Sequence, residues 1–373
     1  MKGTKQVHKL TMLIIAFMVI LSGCAESGSG GGTTGGNLSD KVENLPAGIA
    51  EKDPVKLMVV RKIGGDDHTA QFLAGAKQEG EALGFKVDTF SANGDSAKFH
   101  DAIAQAIDSD YDGFIISHGD DPATVQDVKK ITEKGIPVVT FDSLPQLGDI
   151  DGVTLTSQND ELLAKLALDK LIEEQGPEAN ILYLWVDGFP PMVRRNAVYQ
   201  ETLSNNPGIK ELERYGVASN QTSQDTQNAV AAILTKYPKG EIDAIFATWD
   251  AFAIGAARAL EEAGRTEVKI YGIDVSNADL ELIQKQDGPW VATAAVDPKM
   301  IGAINVRLLA KKIAGEDTPA TYNLEPVLIE RSAIEGASEA VNMVNLADII
   351  PSWGTSSEFE EDWMKSLKQA NGK

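Results

Sequence analysis

From residue 55 onward, short apolar runs alternate with stretches whose apolar residues recur at helical spacing. Residues 55–60 read as a buried strand. Residues 68–83 carry Phe72, Ala76, Glu79 and Leu83 three or four apart, and Gly84 closes them, as expected for an amphipathic helix. The spacing predicts strands over 86–90, 113–117 and 136–141. It predicts helices over 97–107, with Asp95 or Ser96 as N-cap, and over 122–134, ended by Gly135. The pattern then begins again, with strands over 180–186, 210–217, 242–248 and 269–273. Between them lie helices over 190–203, 224–236 and 251–263. This alternation predicts an α/β chain of doubly wound parallel sheets covered by helices on both faces.

The two halves can be laid on each other. Y-D-G-F-I-I-S-H (111–118) matches I-D-A-I-F-A-T-W (242–249). In each half a helix, a glycine and a further apolar strand follow, ending at Asp142 in V-V-T-F-D and at Asp274 in I-Y-G-I-D. Aligned elements in the same order predict two similar domains. Ligands of open parallel sheets sit beyond the carboxyl ends of the strands. His118, Asp142, Trp249 and Asp274 all stand at such ends, so facing lobes would gather them around one interdomain cleft.

The N-terminus is read as separate from this body. Lys2, Lys5 and Lys9 precede a short apolar stretch that ends in L-S-G-C (21–24), the pattern of a lipoprotein signal with its lipidation site at Cys24. Cys24 is the only cysteine, so no intramolecular disulfide is possible. A Gly/Ser-rich tether follows over 24–54, reaching about 30 Å on average as a flexible coil. Net charge is -21, and losing the three leader lysines makes it more negative. That excludes nucleic acid as a partner and leaves the lipid as the one contact with a membrane.

The chain resembles the type I periplasmic sugar-binding proteins, the ribose-binding class that serves ABC import systems. The markers are F-L-A-G-A-K-Q-E-G-E-A-L-G-F, I-P-V-V-T-F-D, T-S-Q-N, R-R-N-A-V-Y, A-T-W-D-A-F-A-I-G-A-A-R-A-L, Y-G-I-D and V-A-T-A-A-V-D-P-K-M-I-G, over residues 55–332. The resemblance implies two lobes joined by three crossings, near Ser157, Asp297 and Glu325. One lobe takes 55–156 and about 298–325, the other 157–297 and about 326–335, with 336–373 packing back as a tail. It also implies a hinge that closes on a small polyhydroxylated ligand, a membrane permease as partner, an extracytoplasmic location and a monomeric body. Asp142, Arg195 and Asp274 match the family's binding positions. Lys62, Asp66, His68 and Thr69 depart from the ribose pattern in the first loop, as do His118, Trp249 and Val296 where amides would stand.

Each candidate has a plainer reading. Asp66, Asp67 and Asp250 precede helices and are expected as caps, Asp250 most of all. Of Arg194 and Arg195, Arg195 is expected to face inward, with Arg194 a solvated charge. Trp249 is expected to offer a flat face to a sugar. His68 and His118 beside Asp66 and Asp120 lack metal-ligand spacing, so neither a metal nor a cofactor is expected. No strand leads into a dinucleotide or phosphate loop, and neither G-x-S-x-G nor H-E-x-x-H occurs. A carboxylate-based enzyme built on Asp142 and Asp274, and a sensor docking on a membrane receptor, are the alternatives to a transport function.

Overall fold

The computed structural model describes residues 38–52 and 54–373. The lipidation motif at Cys24 and the signal region lie outside them. The folded body begins earlier than residue 55. Two short helices, α1 (Leu38–Lys41) and α2 (Ala47–Ala50), bury Leu38 and Ile49 against the first lobe. The second half of the expected tether is therefore held by apolar contacts that its polar composition hides.

The first lobe contains β1 (Lys56–Arg61), α3 (Asp67–Ala82), β2 (Lys86–Ser91), α4 (Ser96–Ile107), β3 (Gly113–Ser117), α5 (Pro122–Glu133), β4 (Val138–Phe141) and β5 (Val153–Gln158). The second contains α6 (Asp160–Gln175), β6 (Ala179–Leu184), α7 (Pro190–Asn205), β7 (Ile209–Tyr215), α8 (Thr222–Lys236), β8 (Ala244–Ala247), α9 (Asp250–Glu262), β9 (Lys269–Ile273), α10 (Asn277–Ile283) and β10 (Trp290–Ala295). The chain then runs through α11 (Pro298–Ile313), β11 (Thr321–Leu324), β12 (Val327–Glu330), α12 (Arg331–Ile334) and α13 (Asp362–Ala370).

These make two six-stranded sheets, ordered β11-β5-β4-β3-β1-β2 and β12-β10-β9-β8-β6-β7. All pairings are parallel except β12 against β10. Strand period explains the double cover. In β1, Leu57 and Val59 enter one core while Met58 and Val60 enter the core on the opposite face. In β6, Ile181 and Tyr183 alternate in the same way with Leu182 and Leu184.

The chain passes between the sheets from β5 to α6, from β10 to α11, and from β11 to β12. The second pass brings α11 back beneath the first sheet, where it lies close against α3. The glycines of F-L-A-G and K-M-I-G permit this approach. A Cβ at Gly75 would stand 2.1 Å from the Lys299 carbonyl oxygen, and one at Gly302 would stand 2.2 Å from that of Phe72.

A fourth pass was not foreseen. After α12, Val341, Met343, Leu346, Ile350 and Trp353 bury themselves in the second lobe. The chain then returns, and Met364 and Leu367 of α13 enter the core of the first. Arg307 of α11 holds the returning segment by donating to the carbonyls of Ser356 at 2.7 Å and Glu358 at 3.3 Å. Leu367→Ala is expected to destabilise the body by about 2–5 kcal/mol, as for a fully buried leucine. An unchanged urea midpoint would show that the tail is not part of the fold.

Candidate functional site

Three non-glycine residues at strand ends adopt left-handed backbone: His118 at φ 61°, Asp142 at 47° and Asp274 at 74°. Such conformations cost on the order of 1 kcal/mol or more and concentrate at functional sites. Each backbone N–H still closes the sheet. His118 donates to the Phe141 carbonyl, Asp142 to that of Thr156 and Asp274 to that of Ala294. The side chains therefore turn off the strand axis at matching places in the two lobes. Trp249, the sequence counterpart of His118, breaks the symmetry with an extended φ of -156°.

The charged wall of the second lobe is built on Asp160, which opens α6 immediately after the first crossing and has no solvent exposure. Arg194 donates to its Oδ2 from Nε at 2.9 Å and Nη2 at 2.5 Å. Arg195 donates to its Oδ1 from Nε at 2.8 Å. The Arg195 fork continues to the Thr248 carbonyl at 2.5 Å and to both oxygens of Asp274 at 3.3 and 3.5 Å. Burial works against the Arg195 charge, but Asp274, Asp160 and Asp142 raise the guanidinium above its ordinary value. Arg194 is thus not a solvated helix charge. Both arginines face inward because Asp160, placed in T-S-Q-N-D, can accept from two forks at once.

Asp142 belongs to the first lobe and is buried. Arg194 Nη2 stands 3.6 Å from its Oδ1, beyond hydrogen-bond reach, and that oxygen has no partner among the described residues. Burial, with the Asp160 charge beside it, pushes the Asp142 carboxyl up to about 7 against the pull of Arg194, Arg195 and Arg61.

The first-lobe wall is completed by a residue that the sequence reading passed over. Arg61 ends β1 buried, donating to Thr69 Oγ1 and Ser117 Oγ, both at 3.0 Å, and meeting His68 Nδ1 at 3.3 Å. Its only advance signal is a cation closing the apolar run K-L-M-V-V-R. Lys62, the neighbour singled out instead, is not brought to this cluster. Its ammonium is taken by Asp120, with Asp121 at 3.4 Å. β1 ends at Arg61, and Lys62 stands in the bend beyond it, so the two side chains part. His68 is buried with Nε2 unpartnered, and His118 Nδ1 lies 2.9 Å from Ser117 Oγ.

Asp66 caps α3, its Oδ1 accepting from the Thr69 N–H at 2.6 Å. Asp250 does not cap α9. Trp249 occupies the cap position, and Asp250 is the first helical residue, accepting from the Ala251 N–H at 2.6 Å. Burial and the neighbouring carboxyls of Asp279 and Asp274 raise Asp250 well above the usual carboxylate range. Trp249 is half-buried, edge-on to Phe252 at 5.6 Å. Trp290 lies in the core over Gly272, and Val296 is buried. Among the described residues, no three His, Cys, Asp or Glu side chains are grouped as a metal site.

Two lobes with strand ends turned toward one another and buried charges between them define a ligand-clamping protein. The sequence model of the periplasmic binding protein domain matches residues 57–317, and the chain belongs to that family. It is a solute-binding protein and not an enzyme. It is 28% identical over 263 residues to the ribose import binding protein of Salmonella typhimurium, covering 68% of this chain and 83% of the relative. A sugar ABC transporter structure from Yersinia enterocolitica superposes with a TM-score of 0.84 at 49% identity, covering 89% of this chain and 99% of that one. The 5-methylthioribose transporter solute-binding protein of Thermotoga lettingae, in complex with 5-methylthioribose, gives 0.79 at 33% identity, with 84% and 98% covered.

Two outcomes test the electrostatics. Asp160→Ala leaves two inward guanidinia short of their shared carboxylate and is expected to cost about 3–5 kcal/mol in chemical denaturation. The second concerns Asp142. Its folded value lies above its unfolded one, so its contribution is present below about pH 4 and is lost as pH rises toward 7. The stability of the ligand-free parent relative to Asp142→Asn should fall over that interval. A difference that stays flat or rises with pH contradicts the assignment.

Proposed function

We propose that the chain is the sugar- or polyol-binding component of an ABC importer, which closes its lobes on a ligand and presents the loaded form to a membrane permease. The observation that carries this reading is the pairing of Asp142 and Asp274. They are acceptors from opposite lobes in the same strained backbone conformation, with the Arg194 and Arg195 forks between them. Carboxylates accept hydroxyl protons and guanidinium groups donate to hydroxyl oxygens, so the set suits a ligand dense in hydroxyls.

The family and the functions of the relatives support the class: ribose import in one, binding of 5-methylthioribose in another. Trp249 offers an apolar face for the C–H side of such a ligand. The hinge of the clamp is assigned to the three crossings, with the lobes divided as the sequence reading divides them beyond residue 55. Asp66, His68 and His118 belong to the first-lobe wall, and Lys62 supports it from outside. The body works outside the cytoplasm, tethered through a lipid on Cys24. That assignment rests on the basic and apolar leader ending in L-S-G-C.

A thermal-shift screen of pentoses, 5-methylthioribose, hexoses and polyols tests the class. A true ligand at about 100 times its Kd adds roughly 2.7 kcal/mol to the stability of the fold. Asp142→Ala, Arg195→Ala and Asp274→Ala are each expected to weaken that ligand by about 1–3 kcal/mol in calorimetry, since each strands a buried partner. Three variants with parental affinity would sink the site assignment. A Trp249→Ala protein binding as well as the parent would reduce that ring to packing.

A further inference from the structure

Among the described residues, Arg61 is the one buried arginine with no carboxylate in contact. Arg195, Arg265 and Arg307 pair with Asp160 and Asp274, with Glu267 and with Glu79. Arg61 is instead held by neutral groups and lies 4.9 Å from the centre of the Phe72 ring.

A guanidinium donates hydrogen bonds and cannot accept them. His68 Nδ1, facing Arg61 Nη2 at 3.3 Å, is therefore the acceptor, and a neutral His68 carries its proton on Nε2. Ser117 extends the same logic. Its Oγ accepts from Arg61 Nη1 at 3.0 Å and still has its own proton to place. The side chain is fully buried, and its other partner is His118 Nδ1 at 2.9 Å. That proton goes to His118 Nδ1, which leaves His118 also protonated on Nε2.

The charges around both rings agree with neutrality. Burial and Arg61 lower His68, with Arg195 in the same sense and Asp274 and Asp66 opposing. Burial, with the charges of Arg61, Arg195 and Lys62, holds His118 well below its ordinary value. Both rings thus lie within electrostatic reach of Arg195 from the opposite lobe.

We propose that Arg61 sets the tautomer of both histidines, directly at His68 and through Ser117 at His118. The first-lobe wall then presents two Nε2–H donors in the same lobe as the unpaired oxygen of Asp142. Such a wall selects a ligand hydroxyl that accepts from an imidazole and donates to Asp142 at the same time. A deoxy or O-methyl analogue at that carbon fails, the first for want of an oxygen and the second for want of a proton. The ligand half of this inference rests on the sugar reading above; the tautomers do not.

Long-range proton–nitrogen NMR of the nitrogen-15-labelled protein reads the tautomers without any ligand, with His68→Gln and His118→Gln used for assignment. Both rings are expected to stay neutral and Nε2-protonated as pH falls through about 6.5, the ordinary histidine value. His100 provides the internal contrast. Burial lowers it, but Asp127 at 2.7 Å and Asp121 at 3.0 Å raise it above its ordinary value, so it is charged there.

Arg61→Met should free His68 to sample both tautomers. Ser117→Ala should do so for His118 alone and serves if the arginine variant does not fold. Calorimetry with D-ribose and 5-methylthioribose should show Ser117→Ala weakening whichever sugar binds by about tenfold. An Nδ1–H tautomer or an imidazolium at either site in the parent, or a His118 tautomer untouched by Ser117→Ala, overturns the proposal. If neither sugar binds, the ligand is taken from the wider screen, whose own failure would sink the sugar reading, and the spectra alone still decide the tautomers.

Discussion

The arrangement of the cleft depends on one fully buried carboxylate. Asp160 begins α6 directly after the chain leaves the first sheet, and it accepts from Arg194 and Arg195 together. Taking a carboxylate and two guanidinia out of water is costly, and only close, multiple hydrogen bonds offset that cost. The geometry supplies them and, in doing so, aims the remaining donors. Arg195 is carried to Asp274 and the Thr248 carbonyl, while Arg194 is left just short of Asp142. A crossing point of the chain and a recognition surface are thereby built from the same residues.

The two walls of the cleft differ in chemistry although the lobes repeat one topology. The second wall is ionic, with guanidinium forks against carboxylates and Asp250 and Asp279 buried behind them. The first is organised by a guanidinium without a carboxylate, held by hydroxyls, an imidazole and an aromatic face. Burial lifts Asp142 toward neutrality and holds the histidines neutral. A wall of nearly neutral donors and acceptors opposite an ionic one gives an uncharged, hydroxyl-rich ligand partners on both sides without stranding a charge.

The C-terminal segment adds a constraint of its own. Residues 341–353 pack on one lobe and α13 on the other, so four passages of chain join the lobes. The tail also reaches the rim of the cleft. The Met343 N–H donates to Asn277 Oδ1, and the Asn277 backbone and side-chain amides donate to Asp67 of the opposite lobe at 3.2 and 3.3 Å.

Much of this was legible in the linear pattern. Period-2 and period-3.6 apolar spacing determines strands and helices locally, and the repeat of His118 with Asp142 against Trp249 with Asp274 placed the strand ends. Those signals are local, so they survive without coordinates. What lay beyond them depends on contacts between distant segments. Arg61 rather than Lys62 enters the wall because Arg61 is the last residue of β1, while Lys62 lies beyond the strand and is taken by Asp120. Arg194 turns inward because Asp160, thirty-four residues earlier, accepts from it. Asp250 yields the cap position to Trp249 because α9 begins at Asp250 itself, one residue earlier than a cap there would allow. Helices α1 and α2 fold because apolar surface on the first lobe is there to receive Leu38 and Ile49. The sequence by itself determined the layered α/β architecture and the strand-end positions, since both follow from periodicity. Tertiary structure alone decided which charges meet, because hydrogen-bond partners are chosen by burial and distance, and neither is written along the chain.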